Sequence, residues 1–148
     1  MASVQTFSGS KILIQIGDGA DPENFSRRCS INASRSIQGT ASMVETTIPD
    51  CDDEEKVAWV IRDKDSVSYT ISGEGVHAVE DISFFTNWLK SEQPKNIIAL
   101  IASDSASPYQ LTGRFHLTDY TVSGERKQRA QASLSLVSTE EVTSGTPA

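Results

Sequence analysis

The sequence predicts a mainly β protein: a β-sandwich or partly closed barrel with one short flanking α-helix and a long extended loop. Three observations carry this expectation. Val67, Tyr69 and Ile71 alternate with Ser68, Thr70 and Ser72, the period-two mark of a half-buried strand. Most other apolar segments are equally short and are bounded by Gly, Asp, Pro or Ser. Helical spacing is confined to Glu80–Lys90, where Ile82, Phe85 and Leu89 fall at i, i+3 and i+7, with Phe84 and Trp88 on a flanking face.

Taken in order, residues 1–10 are small and polar and form an N-terminal arm. Lys11–Ile16 places Ile12, Ile14 and Ile16 on one face of a strand, and Gly17–Phe25 has the Gly, Asp and Pro content of a reversal. A second, more polar strand spans about Ser26–Ile37, with Ile31, Ala33 and Ile37 as its apolar content. Residues 38–56 are small and polar, then acidic, with five acids between Asp50 and Glu55. A structureless connection of that length is usually functional or disordered. Val57–Arg62 reads as a strand, with a short helical turn from Asp52 or Asp53 as the alternative, and Asp63–Asp65 as a turn into Ser66–Val76.

Gly73 and Gly75 predict a fold-critical turn at the end of that strand, which delivers the helix. Asp81 stands at the helix front, where a carboxylate favours the exposed N–H groups and the dipole. About three turns is short for a free helix, so its apolar face, Ile82, Phe85 and Leu89, must be held by packing. Asn96–Ala102 is a continuous apolar run, expected as a strand buried on both faces. Leu111–Val122 and Gln128–Val137 form a hairpin. In its second arm Ala130, Ala132, Leu134 and Leu136 share one face and Arg129, Gln131, Ser133 and Ser135 the other. Residues 138–148 read as a flexible C-terminal tail, which leaves 11–137 as the folded domain.

The chain has 148 residues, enough for one domain with a core, and a net charge of −7 from 20 acidic and 13 basic residues. That balance argues against a basic nucleic-acid-binding surface, though not against a surface along which nucleic acid slides. Cys29 and Cys51 make neither a disulfide framework nor a metal spacing, no apolar run approaches a membrane span, and the N-terminus lacks the order of a signal peptide. These features fit a protein made in a reducing cytosol.

No catalytic constellation emerges, so the chain is expected not to be an enzyme, and no cofactor or metal is expected. His77 and His116 each lie in a strand-like segment beside no clear partner, and read as satisfied or exposed histidines. The acids around Cys51 lack the alternate spacing and the glycine of a calcium loop. Ile71–Gly75 lacks the lysine and the spacing of a phosphate loop. Trp59 and Trp88 read as core or interface anchors.

The order of elements resembles the major tail (tail tube) proteins of long-tailed phages and gene transfer agents. The resemblance rests on KILIQIGDGADPENF, then a polar strand and long loop, ISGEGV, a short helix with FF..WL, and TGRFHLTDYTVSGERKQRAQASLSLVSTEEV. It covers about Lys11–Glu141; the acidic run at 50–55 departs from it.

The resemblance implies a structural virion protein whose rings, six copies each, stack into a conduit for DNA. Residues 38–56 would then form an inter-ring loop (Gly39, Met43, Val44, Ile48, Asp52, Asp53). Arg129, Gln131, Ser133 and Ser135 would face the lumen, past which DNA slides without specific binding. The implied partners are further copies of the chain, a tape-measure protein, a tail terminator and distal tail or baseplate proteins, with no membrane. The implied location is the virion tail, assembled in the host cytoplasm. Two other readings stay open: a tube, baseplate or hub component of a contractile injection system, and an Ig-like binding module.

Overall fold

The computed structural model describes residues 4–19, 23–27, 30–103 and 105–146. Cys29, the Asp21–Pro22 part of the first reversal and the ends of the predicted arm and tail lie outside these residues. Among the described residues, seven strands form one antiparallel sheet: β1 (Leu13–Gly17), β2 (Phe25–Arg27), β3 (Ser34–Ile48), β4 (Trp59–Val76), β5 (Lys95–Ile101), β6 (Tyr109–Ser123) and β7 (Gln131–Gly145). Their order is β2-β1-β5-β6-β7-β4-β3. β2 and β3 end the sheet without pairing to each other, so the barrel stays open. The one α-helix among the described residues, α1 (Ile82–Lys90), packs on β6.

The core is the inner face of this sheet. Ile14 and Ile16 on β1 lie opposite Ala99 and Ile97 on β5, and all four are buried. Leu111, Phe115 and Leu117 extend the layer along β6, Leu134 and Leu136 along β7, and Ile71 along β4. Register irregularities keep long strands facing this layer. Leu117 pairs with Leu136 but Asp119 pairs with Ser135, so Thr118 is an extra residue. Inward positions are therefore odd-numbered up to Leu117 and even-numbered from Tyr120. A second irregularity on β7 falls between the partners of Thr112 and Arg114; there Glu140 has a φ of 66° and Val142 packs against the core.

Several elements depart from the sequence reading. The second strand divides into β2, which pairs with β1, and β3, which pairs with β4, because residues 30–33 cross from one side of the sheet to the other. The region 38–56 is not a loop: 38–48 is strand, and the connection shortens to 49–58. Asp63–Asp65 does not turn, since β4 runs unbroken from Trp59 to Val76; Asp65 is the extra residue of a bulge opposite Ser42–Met43. β7 continues through residues 138–145, paired with β6, in place of a flexible tail. β5 is fully buried on one face, at Ile97 and Ala99, while Ile98 and Leu100 on the other face are half-buried.

Gly73 and Gly75 are not a turn either. Both lie inside β4, paired with Leu134 and Ala132. Their lack of a side chain makes room for the crossing segment. A Cβ on Gly73 would lie 2.7 Å from Ile31 Cγ2, and one on Gly75 would lie 2.2 Å from Asn32 Oδ1 and 2.8 Å from the Asn32 backbone N. Asn32 uses this proximity to extend the ladder: its Nδ2 donates to the Val76 carbonyl, and its Oδ1 accepts from the Val76 N–H, both at 3.1 Å.

Of the predicted apolar helix face only Phe85 is buried; Ile82 and Leu89 are 47% and 43% exposed, and Trp88 from the flanking face is buried in their place. The buried stripe is thus turned toward the aromatic side, whose rings carry the larger area into the core. Phe85 meets Tyr120 with ring centroids 5.6 Å apart, and Phe84 lies against both Phe85 and Trp88.

At the helix front, Asp81 is buried and makes no side-chain cap bond. Its carboxylate instead accepts from the Ser30 N–H at 3.2 Å and the Ser30 hydroxyl at 2.9 Å. Ser30 Oγ also meets His77 Nδ1 at 2.9 Å, and His77 Nε2 pairs with the Tyr120 hydroxyl. His77 therefore has a partner at each ring nitrogen, and the polar chain Asp81–Ser30–His77–Tyr120 fixes the crossing segment to the helix and to β6. Burial, and then the Asp81 carboxylate, raise the Tyr120 phenol above its ordinary value.

Candidate assembly surfaces

β4 pairs with β7 only over Thr70–Val76, whereas its pairing with β3 continues outward to Trp59. Gly39–Ile48 and Trp59–Tyr69 therefore leave the body of the sheet as a two-stranded ribbon, with no third strand on either side among the described residues. Ten paired positions at the usual rise give a projection of roughly 30 Å. All but Tyr69 of these residues are exposed. The Tyr69 ring covers Gly39 at the ribbon's root, where a Cβ would approach it to 3.1 Å.

Directly opposed residues of an antiparallel pair lie on the same face, so the ribbon's two sides can be read from its register. One side carries Trp59 opposite Ile48, Ile61 opposite Thr46, and Val44 opposite Asp63. Exposures of 87%, 57%, 45% and 51% for Trp59, Ile48, Ile61 and Val44 make this an uncovered apolar stripe. The other side carries Val60, Met43, Lys64 and the Arg62–Glu45 ion pair at 2.9 Å. That pair is solvated on both partners and adds little stability.

Of the residues predicted for this region, Gly39, Met43, Val44 and Ile48 lie on β3, and Asp52 and Asp53 lie in the connecting turn. Trp59 and Ile61 are ribbon residues that the sequence did not assign to the inter-ring loop. Their alternation in Val57–Arg62 was the available signal. The turn is built partly by its own acids, with Asp50 accepting from the Asp52 N–H and Asp53 from the Glu55 N–H.

A second surface is the outer face of β7. Gln131 and Ser133 are exposed and Ser135 is half-buried, opposite in facing to the buried Ala132, Leu134 and Leu136; Arg129 precedes the strand, in the β6–β7 turn. The same face continues across the sheet. Ser133 lies between Thr121 and Glu74, and Ser135 between Asp119 and Ser72, with Ser34 and Ser36 beyond them on β3. This surface is hydroxyl-rich, and the charges in these rows, Glu74 and Asp119, are negative. No group of three or more His, Cys, Asp or Glu side chains that could hold a metal ion occurs among the described residues.

Residues 6–144 match the family model described as phage tail tube protein. No curated protein sequence compared with the chain matches it. Solved structures share the fold at low identity. The tail of an empty gene transfer agent particle, described with C6 symmetry, superposes with a TM-score of 0.72 at 17% identity, covering 97% of this chain and 100% of that one. The SPP1 tail tube gives 0.64 at 10% identity, covering 96% of this chain and 80% of that one. The baseplate of the anti-feeding prophage, six-fold symmetrised, gives 0.58 at 12% identity, covering 98% of each. The family match spans the sheet, the ribbon and the helix alike, and the chain belongs to the phage tail tube proteins, structural components of the virion tail.

Proposed function

We propose that copies of this chain close into six-membered rings, that the rings stack into a tube, and that DNA passes through its lumen. The observation that carries this reading is the ribbon. A two-stranded projection with an uncovered apolar stripe has no stabilising partner within its own subunit, and an isolated hairpin is marginal in water. A neighbouring ring supplies the missing cover. The hydroxyl-rich outer face of β7, β4 and β6 lines the lumen in this reading. Lysine or arginine there would hold phosphates through counterion release; a hydroxylic and weakly acidic wall lets the duplex slide. Rotational closure turns sheet-edge pairing from an aggregation hazard into a ring contact. A tape-measure protein, a tail terminator and distal tail proteins complete the set of partners.

The test is to shorten the ribbon symmetrically, replacing residues 44–63 by a two-residue turn, and to examine the protein by negative-stain microscopy. The expected result is a folded protein that forms no stacks. Normal tubes from this variant would end the inter-ring assignment. The likeness to a baseplate structure favours a second reading, a hub or baseplate ring. It is separated by the same images of the parent protein: a hub gives single rings at all concentrations, a tube subunit gives stacks of indefinite length.

A further inference from the structure

The acidic run sits at the tip of the ribbon. Asp50, Asp52, Asp53, Glu54 and Glu55 all fall in the connection between β3 and β4. Lys56 approaches Asp50 at 3.9 Å, and among the described residues the other four acids have no ion-pair partner.

β4 links this tip to an end of opposite character. Val76, its last residue, pairs with Gln131 on β7, which pairs with Ser123 on β6, so the β6–β7 turn (124–130) flanks that end. The turn carries Arg126, Lys127 and Arg129 against the single acid Glu125, and all four are exposed. It is anchored by the His77 N–H, which donates to the Ala130 carbonyl at 2.9 Å. Exposed apolar side chains border this end too: Val122, next to Ser123 on β6, is 54% exposed, and Val79, three residues beyond Val76, is 85% exposed. The 18 residues of β4 separate the two ends by a distance on the order of 55 Å at the usual strand rise. One end thus offers an apolar stripe beside anionic charge, and the other offers apolar side chains beside cationic charge.

We propose that the acidic ribbon tip of one copy docks on the cationic β6–β7 turn of a copy in the adjoining ring. This rests on the ring-stacking reading above and names the receiving surface. Complementary patches on opposite ends of one chain make a heterologous contact, which propagates as an open stack and does not close on itself. The charges also set direction. A ring presented upside down brings tip to tip or turn to turn, and like charges then oppose docking. Every ring is therefore added in the same orientation, and the stack is polar.

The test is a charge exchange in the full chain. One variant carries D52K, D53K and E54K; a second carries R126E, K127E and R129E. All six positions are exposed, and circular dichroism checks that both variants keep the parent's fold. Each alone is expected to form rings and lose stacking, because tip and turn then carry like charge. A mixture of the two, or one chain carrying all six substitutions, is expected to stack again. Single variants that stack like the parent, or a mixture and a six-fold variant that both stay unstacked, overturn the proposal. The ribbon-shortened variant keeps the two readings apart. If it fails to stack while the charge variants stack normally, the ribbon still joins rings but its receiver is not the β6–β7 turn. If it stacks, the inter-ring reading itself has failed.

Discussion

Replacing Gly75 by alanine adds one methyl group where β4 meets the crossing segment. The new Cβ would lie 2.2 Å from Asn32 Oδ1 and 2.8 Å from the Asn32 backbone N, well inside contact distance. Rotating the amide away relieves the first clash and gives up its two hydrogen bonds to Val76, at about 1 kcal/mol each. The second clash is with backbone, so residues 31–33 must shift. That drags Ile31 out of the core and strains the Ser30–Asp81 contacts, an overpacking cost of about 1–3 kcal/mol. The sum is a loss of about 3–5 kcal/mol, a fall in Tm of roughly 6–20 °C for a domain of this size.

The assay is thermal and urea unfolding followed by circular dichroism at one fixed protomer concentration, since assembly adds its own stability. Gly124→Ala is the control, because nothing lies within 4 Å of its Cβ position; it should stay within about 0.5 kcal/mol. In an Asn32→Ala background the Gly75→Ala loss should shrink, leaving the backbone clash. A Gly75→Ala protein as stable as the parent, or no more affected than the Gly124→Ala control, would refute the close-approach argument.

Trp88→Ala should cost about 3–5 kcal/mol in the unassembled protomer and Leu89→Ala less than about 1 kcal/mol, because Trp88 is buried and Leu89 is not; equal losses in urea titrations would reverse the assignment of the helix face. The raised Tyr120 phenol means that the folded state keeps a proton the unfolded chain releases near its ordinary value of about 10. Its contribution is complete below that pH and is lost as pH rises through the folded value. Tyr120→Phe should therefore flatten the alkaline decline of the urea midpoint above about pH 10, and an unchanged slope would contradict the shift.

The strands that face a core were legible because burial imposes alternation. Ile14 and Ile16, Ile97 and Ala99, and Leu134 and Leu136 are read directly from period two, and the lone helix from its spacing. Of the ribbon, only the second strand was legible, from the alternation in Val57–Arg62 and Ser66–Val76; the first was not. Neither ribbon face is buried in the subunit, so Gly39–Ile48 shows only scattered Thr, Val and Ile β-propensity amid Gly, Ala and Ser, the composition of a loop. Gly73 and Gly75 were misread because glycine in a sequence signals either an unusual backbone angle or a missing side chain. Which applies depends on Ile31 and Asn32, some forty residues away. The partners of His77 were hidden likewise: Ser30 and Tyr120 are 47 and 43 residues distant, and only the crossing segment and the folded sheet bring them together. The tip's acids were visible from the start. What the sequence could not place was the β6–β7 turn at the other end of the same strand.

The ribbon's exposure also bears on when assembly begins. Its hydrogen bonds are cross-strand bonds between two solvated strands, with no core beneath them, so it opens locally at far less free energy than the β5–β6–β7 centre. A lone subunit therefore spends part of its time with this segment frayed, and docking must first order it. If rings stack through the ribbon as proposed, that entropy penalty falls on every unseeded encounter, whereas a ring already in place would offer several ordered receivers at once. The soft segment would then act as a kinetic brake on spontaneous nucleation while leaving growth from an existing end fast.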